Sequence, residues 1–291
     1  METAKLHVKC VNTKSILCKS NLPGTDYCAN PYIGCTHACK YCYASYMAQI
    51  SNHQEQWGSF VDIKSWEAIG KPTKYYGKTV FIGTVTDAYQ PCEAKYGRTR
   101  SLLEQLIEYE IKIVICTKSD LVLRDLDLIK MFPKALVAFS INTLCDDFRK
   151  SMECTVSIER RITAMKACHD AGIQTACFIA PIFPKITDVN AIIKKVKDKC
   201  HFVWLENLNL RNDYKSRILS FIYNKYRTLY QLYYDIYVSG NISYWYSLED
   251  EIFKFCKVEN YKYVHTAKDF FLHPQSYSDK SLIVVNCFHY K

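Results

Sequence analysis

From about residue 30 to residue 210, short apolar runs rich in β-branched residues alternate with stretches whose apolar positions recur at helical spacing. This is the pattern of repeated βα units that build a parallel sheet. The candidate strands are PYIGC (31–35), TVFIGT (79–84), IKIVICT (111–117), ALVAFSI (135–141), QTACFIA (174–180) and HFVWLEN (201–207). Between them, Leu102, Leu103, Leu106 and Ile107 fall on one helical face. So do Ile158, Ile162, Met165 and Cys168 behind a Ser157 cap, and Ile192, Ile193 and Val196 behind Asp188. These stripes are expected to pack on the sheet. If the sheet curls into a barrel or part of one, chemistry belongs at the carboxyl ends of its strands, where the βα loops gather.

Beyond about residue 212 the pattern changes to a long tyrosine-rich helix, ILSFIYNKYRTLYQLYYDIYV, then a capped segment SLEDEIFKFC, then short irregular pieces. The expected organisation is an N-terminal extension (1–27), one catalytic unit (28–211) and a helical C-terminal extension (212–291) docked on it, its aromatics read as packing.

Composition changes this picture little. With 291 residues, 49% hydrophobic and 23% charged, the chain can bury a substantial core. No apolar run reaches the roughly 20 residues that span a bilayer, and the start METAKLHVKC lacks the apolar centre of a signal peptide, so the expectation is a cytoplasmic protein with no membrane partner. Fifteen cysteines then read as reduced thiols, in a cytosol that suits anaerobic life, and not as a disulfide framework. The formal charge of +9 is compatible with a polyanionic partner, although the basic residues are spread along the chain.

The chemistry concentrates in NPYIGCTHACKYCYASY (30–46), where Cys35, Cys39 and Cys42 share one loop. Three thiolates at this spacing hold three irons of a [4Fe–4S] cluster and leave the fourth without a protein ligand. That open iron can be chelated by the amino and carboxylate groups of S-adenosylmethionine. The competing reading is zinc, with Cys28 or His37 completing a tetrahedron.

The Cys35-x3-Cys39-x2-Cys42 loop resembles the cluster loop of radical S-adenosylmethionine (radical SAM) enzymes. The resemblance extends through GTVTDAYQPCEAKYGRTRSLLEQL (83–106), CTKSDLVLRDLDLI (116–129), FSINT (139–143), ECTVSIERRITAMKACHDAGI (153–173) and IAPIFP (179–184). In this order the segments are similar to the spore photoproduct lyase-like branch, often labelled DNA repair photolyases. With WLENLNLR (204–211), the text looks closest to the B component of radical SAM mobile pair proteins. The resemblance implies a partial (β/α)6 barrel of the radical SAM type. It also implies a [4Fe–4S] cluster on Cys35, Cys39 and Cys42, S-adenosylmethionine as cofactor, and an electron donor such as flavodoxin or ferredoxin. A nucleic acid and a second radical SAM protein are the partners it suggests.

Carried over by position, Thr86, Asp87, Lys118, Ser119, Ser140, Asn142 and Arg161 are expected to line the cofactor, and backbone groups of APIFP its adenine. Lys118 can pair with the methionyl carboxylate. Ser140 and Asn142 suit ribose hydroxyls or that carboxylate, and Thr86 and Asp87 the amine or ribose. Arg161 and Glu153 read either as further contacts or as a solvated helix face, and Tyr89 and Gln90 as pocket or turn. Tyr41 and Tyr43, beside the last cluster cysteine, match aromatics implicated in radical relay; their plainer role, shared with Lys40, is to cover the cluster. The resemblance breaks at Thr84, where spore photoproduct lyases place a hydrogen-donating cysteine. A hydroxyl O–H bond is too strong for that task, so their dimer repair is not carried over. Cys92 is the candidate substitute, against a packing role, while Cys116 and Cys177 read as core.

Overall fold

The computed structural model describes residues 6–70, 72–267 and 282–289. The main sheet contains β2 (Leu17–Lys19), β3 (Tyr27–Ala29), β6 (Thr79–Ile82), β7 (Lys112–Thr117), β8 (Lys134–Ser140), β9 (Gln174–Ile182), β10 (Phe202–Asn207), β11 (Lys262–Val264) and β12 (Ile283–Asn286). Their spatial order is β11-β12-β10-β9-β8-β7-β6-β3-β2. The six strands β3, β6, β7, β8, β9 and β10 are mutually parallel neighbours in chain order, which is a (β/α)6 partial barrel. β2 adds an antiparallel edge beside β3, and β12 and β11 extend the other edge in parallel. A separate sheet joins β5 (Phe60–Trp66) to β1 (His7–Thr13) and β4 (Tyr32–Ile33).

The expected first strand, PYIGC, requires correction. The first barrel strand is Tyr27–Ala29, whereas Tyr32–Ile33 pairs antiparallel with β5 in the small sheet. Local apolar content cannot separate the two, because both segments bury a tyrosine. The C-terminal region is also less purely helical than its pattern suggests, since β11 and β12 join the barrel sheet. The predicted long helix there is broken. Helix Asn212–Lys225 ends at Tyr226, whose backbone leaves helical geometry, and Tyr230–Tyr237 resumes after a single 3₁₀ turn. The last stretch before β12, residues 268–281, lies outside the described residues.

The predicted helical stripes are buried. Leu102, Leu103 and Leu106 of helix Arg98–Leu106 join one continuous core with Ile162 and Met165 of Ile158–Asp170 and Ile193 and Val196 of Val189–Val196. Both predicted caps form, with Ser157 Oγ accepting from the Arg160 amide and Asp188 Oδ1 from the Ala191 amide at 2.9 Å. On the opposite face of the sheet, Ala138, Ala176, Trp204 and Val285 make a smaller apolar layer. Among the described residues no helix is long and apolar enough to cross a membrane.

Burial and capping predict a measurable contrast in helix Val189–Val196. Ile193→Ala is expected to lower unfolding stability by about 2–5 kcal/mol through the cavity it leaves, and Asp188→Ala by about 1 kcal/mol through the lost cap. Urea unfolding followed by far-ultraviolet circular dichroism reads both; equal losses would show that this helix is not held by its buried face.

Candidate active site

The loop between β3 and the 3₁₀ turn Tyr43–Tyr46 carries Cys35, Cys39 and Cys42, with Cys35 and Cys39 almost inaccessible. Its path requires glycine at two close approaches. Gly34 has φ +86°, and a Cβ there would lie 2.4 Å from Phe60 O; Gly58 has φ +98° and its Cβ would lie 2.4 Å from Ala38 Cβ. The segment 57–60 therefore presses directly on the cysteine loop. It also places Trp57 near Cys42, with the buried indole Nε1 making no hydrogen bond among the described residues.

From the other side the loop is tied by side chains of the segment after β6. Thr86 Oγ1 donates to Gly34 O at 2.6 Å, and Gln90 Nε2 donates to the same carbonyl at 3.1 Å. Gln90 Oε1 accepts the Thr36 amide at 2.9 Å. Asp87, fully buried, accepts from the Tyr89 amide at 2.8 Å, Thr117 Oγ1 at 2.8 Å and the Lys118 amide at 2.7 Å. His37 Nε2 lies 3.0 Å from Asp87 Oδ2, though poorly aligned for a hydrogen bond. Burial alone would raise the Asp87 pKa; His37 and the two amides outweigh it and hold the carboxyl at about 2. The backbone of 152–154 closes the third side, with Lys40 N donating to Met152 O at 2.9 Å and Cys154 N to His37 O at 2.7 Å.

Beneath Cys39 lies a buried charged group. Cys39 Sγ is 3.7 Å from Glu153 Oε2, which also accepts from the Tyr41 hydroxyl. Glu153 Oε1 receives Arg161 Nη2 and, at 2.9 Å, the Thr155 hydroxyl. Burial would raise the Glu153 pKa, but Arg161, Lys118 and Tyr41 bring it down to about 2. Lys118 Nζ donates to Ser140 Oγ at 2.7 Å and lies 5.9 Å from the centre of the Tyr41 ring. Burial lowers its pKa, and the neighbouring Cys39 and Glu153 more than reverse that, so the ammonium persists. Burial raises the pKa of all three loop thiols, so metal coordination would have to supply the charge that stabilises their thiolates.

The expected site residues thus divide by what they already touch. Lys118, Ser140 and Asn142 stand at the strand ends; Ser140 Oγ already accepts from Lys118 and donates to Ala180 O at 3.1 Å, the Lys118 ammonium keeps donors beyond that one, and the buried Asn142 Nδ2 has no partner among the described residues. Thr86 and Asp87, expected at the cofactor, are spent on the cysteine loop and on the end of β7. Ser119 Oγ accepts the Leu121 amide at 3.2 Å and caps the turn behind the site. Arg161 is wholly buried and engages Glu153, Thr155, Val156 O and Ser140 O, so it is not a solvated helix face. Tyr41 is buried against Phe183, whereas Tyr43 is 56% exposed and donates to Thr84 O. Cys92 packs with Tyr32, Val61 and Ile63 between the small sheet and its own helix, and burial beside Glu93 raises its thiol to about 12. Cys116 is only partly buried, on the smaller apolar layer of the sheet, and Cys177 is core. His37 and Trp57 are the neighbours of the cysteines whose structural tasks the sequence leaves unread. His37 is marked by its place between two cysteines, and Trp57 carries no local signal at all.

Among the described residues, no three His, Cys, Asp or Glu side chains converge as one metal ion demands. A cubane needs no such convergence, because it spreads its thiolates over three irons. His37 faces Asp87, and Cys28 faces Cys18 across a strand pair, so neither stands as a fourth ligand. A model of the Radical SAM superfamily matches residues 29–195, from the end of β3 and the cysteine loop through β9 and the helix after it.

The chain belongs to the radical SAM superfamily.

This radical SAM enzyme is 37% identical over 209 residues to an uncharacterized protein of Methanocaldococcus jannaschii, covering 72% of this chain and 80% of that one. It is 28% identical to an uncharacterized protein of the Acidianus two-tailed virus, over 60% of each chain. Spore photoproduct lyase complexed with dinucleoside spore photoproduct shares the fold, with a TM-score of 0.56 at 15% identity over 75% of this chain and 66% of the lyase. The family implies a [4Fe–4S] cluster and S-adenosylmethionine, and the buried cysteine loop beside unspent donors fits both.

The Asp87 carboxyl yields a pH prediction. Its folded pKa, about 2, lies below the ordinary 3.8, so it contributes stability above pH 3.8 that is lost as pH falls toward 2. Asp87→Asn is expected to cost about 2 kcal/mol at pH 6, a difference that shrinks toward pH 2. Urea midpoints of both proteins across that range test it; a constant difference would place the contribution elsewhere.

Proposed function

We propose that this radical SAM enzyme holds a [4Fe–4S] cluster on Cys35, Cys39 and Cys42, binds S-adenosylmethionine beside it, and removes a hydrogen atom from a nucleic-acid base. The observation that carries the reading is one loop with two buried cysteines, Cys35 and Cys39, and a half-buried third, Cys42, close to the Lys118 ammonium and on the same side of the barrel as the unpartnered Asn142 amide. When bound, the two cofactors supply a 5′-deoxyadenosyl radical after one electron from a flavodoxin- or ferredoxin-type donor.

The chain's own residues then have distinct tasks. Lys118 pairs with the methionyl carboxylate, its ammonium aimed by Ser140, and the Asn142 amide donates to the carboxylate or a ribose hydroxyl. Tyr41, Glu153 and Arg161 hold a fixed, dry charge pattern under Cys39. Tyr43 stands at the rim, where a substrate enters. Support for a nucleic-acid base comes from the net charge of +9, from Lys40 and Arg217 meeting at the rim, and from the fold shared with a lyase complexed with a dinucleoside. Such a base has to be unstacked or single-stranded to reach a recessed cluster.

Anaerobic reconstitution tests the first half. Cluster iron, sulfide and 5′-deoxyadenosine on reduction are expected, with each of Cys35→Ala, Cys39→Ala and Cys42→Ala losing the iron; zinc without 5′-deoxyadenosine would sink the reading. Lys118→Met is expected to keep its iron while binding S-adenosylmethionine about 10- to 100-fold more weakly, the worth of a charge-assisted contact. For the substrate, deuterium exchange between 5′-deoxyadenosine and a single-stranded oligonucleotide is expected, with binding that weakens as salt rises. Exchange into a peptide or small metabolite in an extract would move the assignment to that class.

A further inference from the structure

All fifteen cysteines are free, and two of them stand directly opposite one another on adjacent strands. Cys18 of the edge strand β2 is in register with Cys28 of β3, so both side chains leave the same face of the ladder. The Ser20 amide donates to Asp26 O at 3.0 Å, which marks 20 and 26 as a hydrogen-bonded pair. By the two-residue alternation of an antiparallel ladder, Cys18 and Cys28 are the next such pair, with Cα atoms about 5.5 Å apart. That separation lies within the span a disulfide bridges.

Three further observations set this pair apart. Cys18 is exposed while Cys28 is half-buried, so one thiol meets reagents and the other backs it. Cys177 and Cys200 are also neighbours, but both are sealed in the core. The Lys64 ammonium lies near both sulfurs and opposes, without reversing, the burial that raises the Cys28 thiol. Strand β2 is three residues long and bonded only to β3, so it can shift the fraction of an ångström that closure needs.

We propose that Cys18 and Cys28 are a redox-active dithiol that closes to an intrachain disulfide by exchange with a small linear disulfide. The Cys18 thiolate attacks one sulfur of the reagent and expels a thiolate, leaving a mixed disulfide. The Cys28 thiolate then attacks the Cys18 sulfur and expels the second. The protein loses two electrons and two protons, and the reagent becomes two thiols. The couple sits at the root of the active-site loop. Thr84 stands beside Cys28, and its hydroxyl receives Asn30 Nδ2 at 2.9 Å, at the point where β3 gives way to the cysteine loop. The pair stands on strand register and is independent of the cluster assignment.

The test treats the full chain, anaerobic and with its metal content measured at every point, with hydroxyethyl disulfide, then digests it without reduction for mass mapping. The expected product is a linked Cys18–Cys28 peptide lighter by two hydrogens than its reduced parts, reversed by dithiothreitol and formed with iron unchanged. The exposed Cys10, Cys145 and Cys154 should give single adducts only. Cys28→Ser should trap the adduct on Cys18, and Cys18→Ser should abolish the link. Separate adducts on Cys18 and Cys28 that never join, or a link from either to another cysteine, would overturn the proposal.

Discussion

One buried carboxylate ties the active site together. Asp87 leaves the loop after β6, accepts amides from its own loop and from Lys118, takes the Thr117 hydroxyl at the end of β7, and faces His37 between Cys35 and Cys39. A charge removed from water at this depth is tolerated only with such partners. The same set of contacts that stabilises it also sets the distance between the cysteine loop and the strand end bearing Lys118. Glu153 repeats the device on the far side, joining Cys39, Tyr41 and Arg161. The loop is thereby held between two buried carboxylates, Asp87 held by hydrogen-bond donors and Glu153 by Arg161.

This arrangement explains why polar residues near the cysteines are not all ligands. Thr86 and Gln90 spend their hydrogen bonds on Gly34 O and Thr36 N, and so fix backbone that has no regular secondary structure of its own. Among the described residues, Lys118 retains donors beyond the one given to Ser140, and the Asn142 amide has no partner. Preorganised donors are what the charged amino-acid cofactor implied by the family requires. The small sheet contributes by steric contact, since Phe60 and Gly58 allow the cysteine loop no other path.

The thiols show how environment sorts residues of one type. Cys35, Cys39 and Cys42 share a dry loop, Cys92 fills an apolar corner, and Cys18 and Cys28 face each other at an open edge beside a lysine. Sulfur chemistry follows from these settings, in which burial favours the neutral thiol and neighbouring positive charge the thiolate.

Much of the barrel was legible because its signal is local. The strands from TVFIGT to HFVWLEN, the stripes of Leu102 to Leu106 and Ile158 to Cys168, and the caps at Ser157 and Asp188 each depend on neighbours within a turn or a strand. The cysteine spacing was legible for the same reason. Pairing was not. Nothing within PYIGC says that Tyr32 joins β5 while Tyr27 joins β6, and nothing in the tail says that residues 283–286 add to the far edge of the sheet. The tertiary structure also decided which polar groups are occupied, because Asp87 with His37, Arg161 with Glu153 and Cys18 with Cys28 meet only after distant segments pack. Sequence alone thus determined the periodicities and the cysteine spacing, which are properties of short stretches of backbone. Long-range contact decided partners and protonation, since both depend on what excludes water from each group.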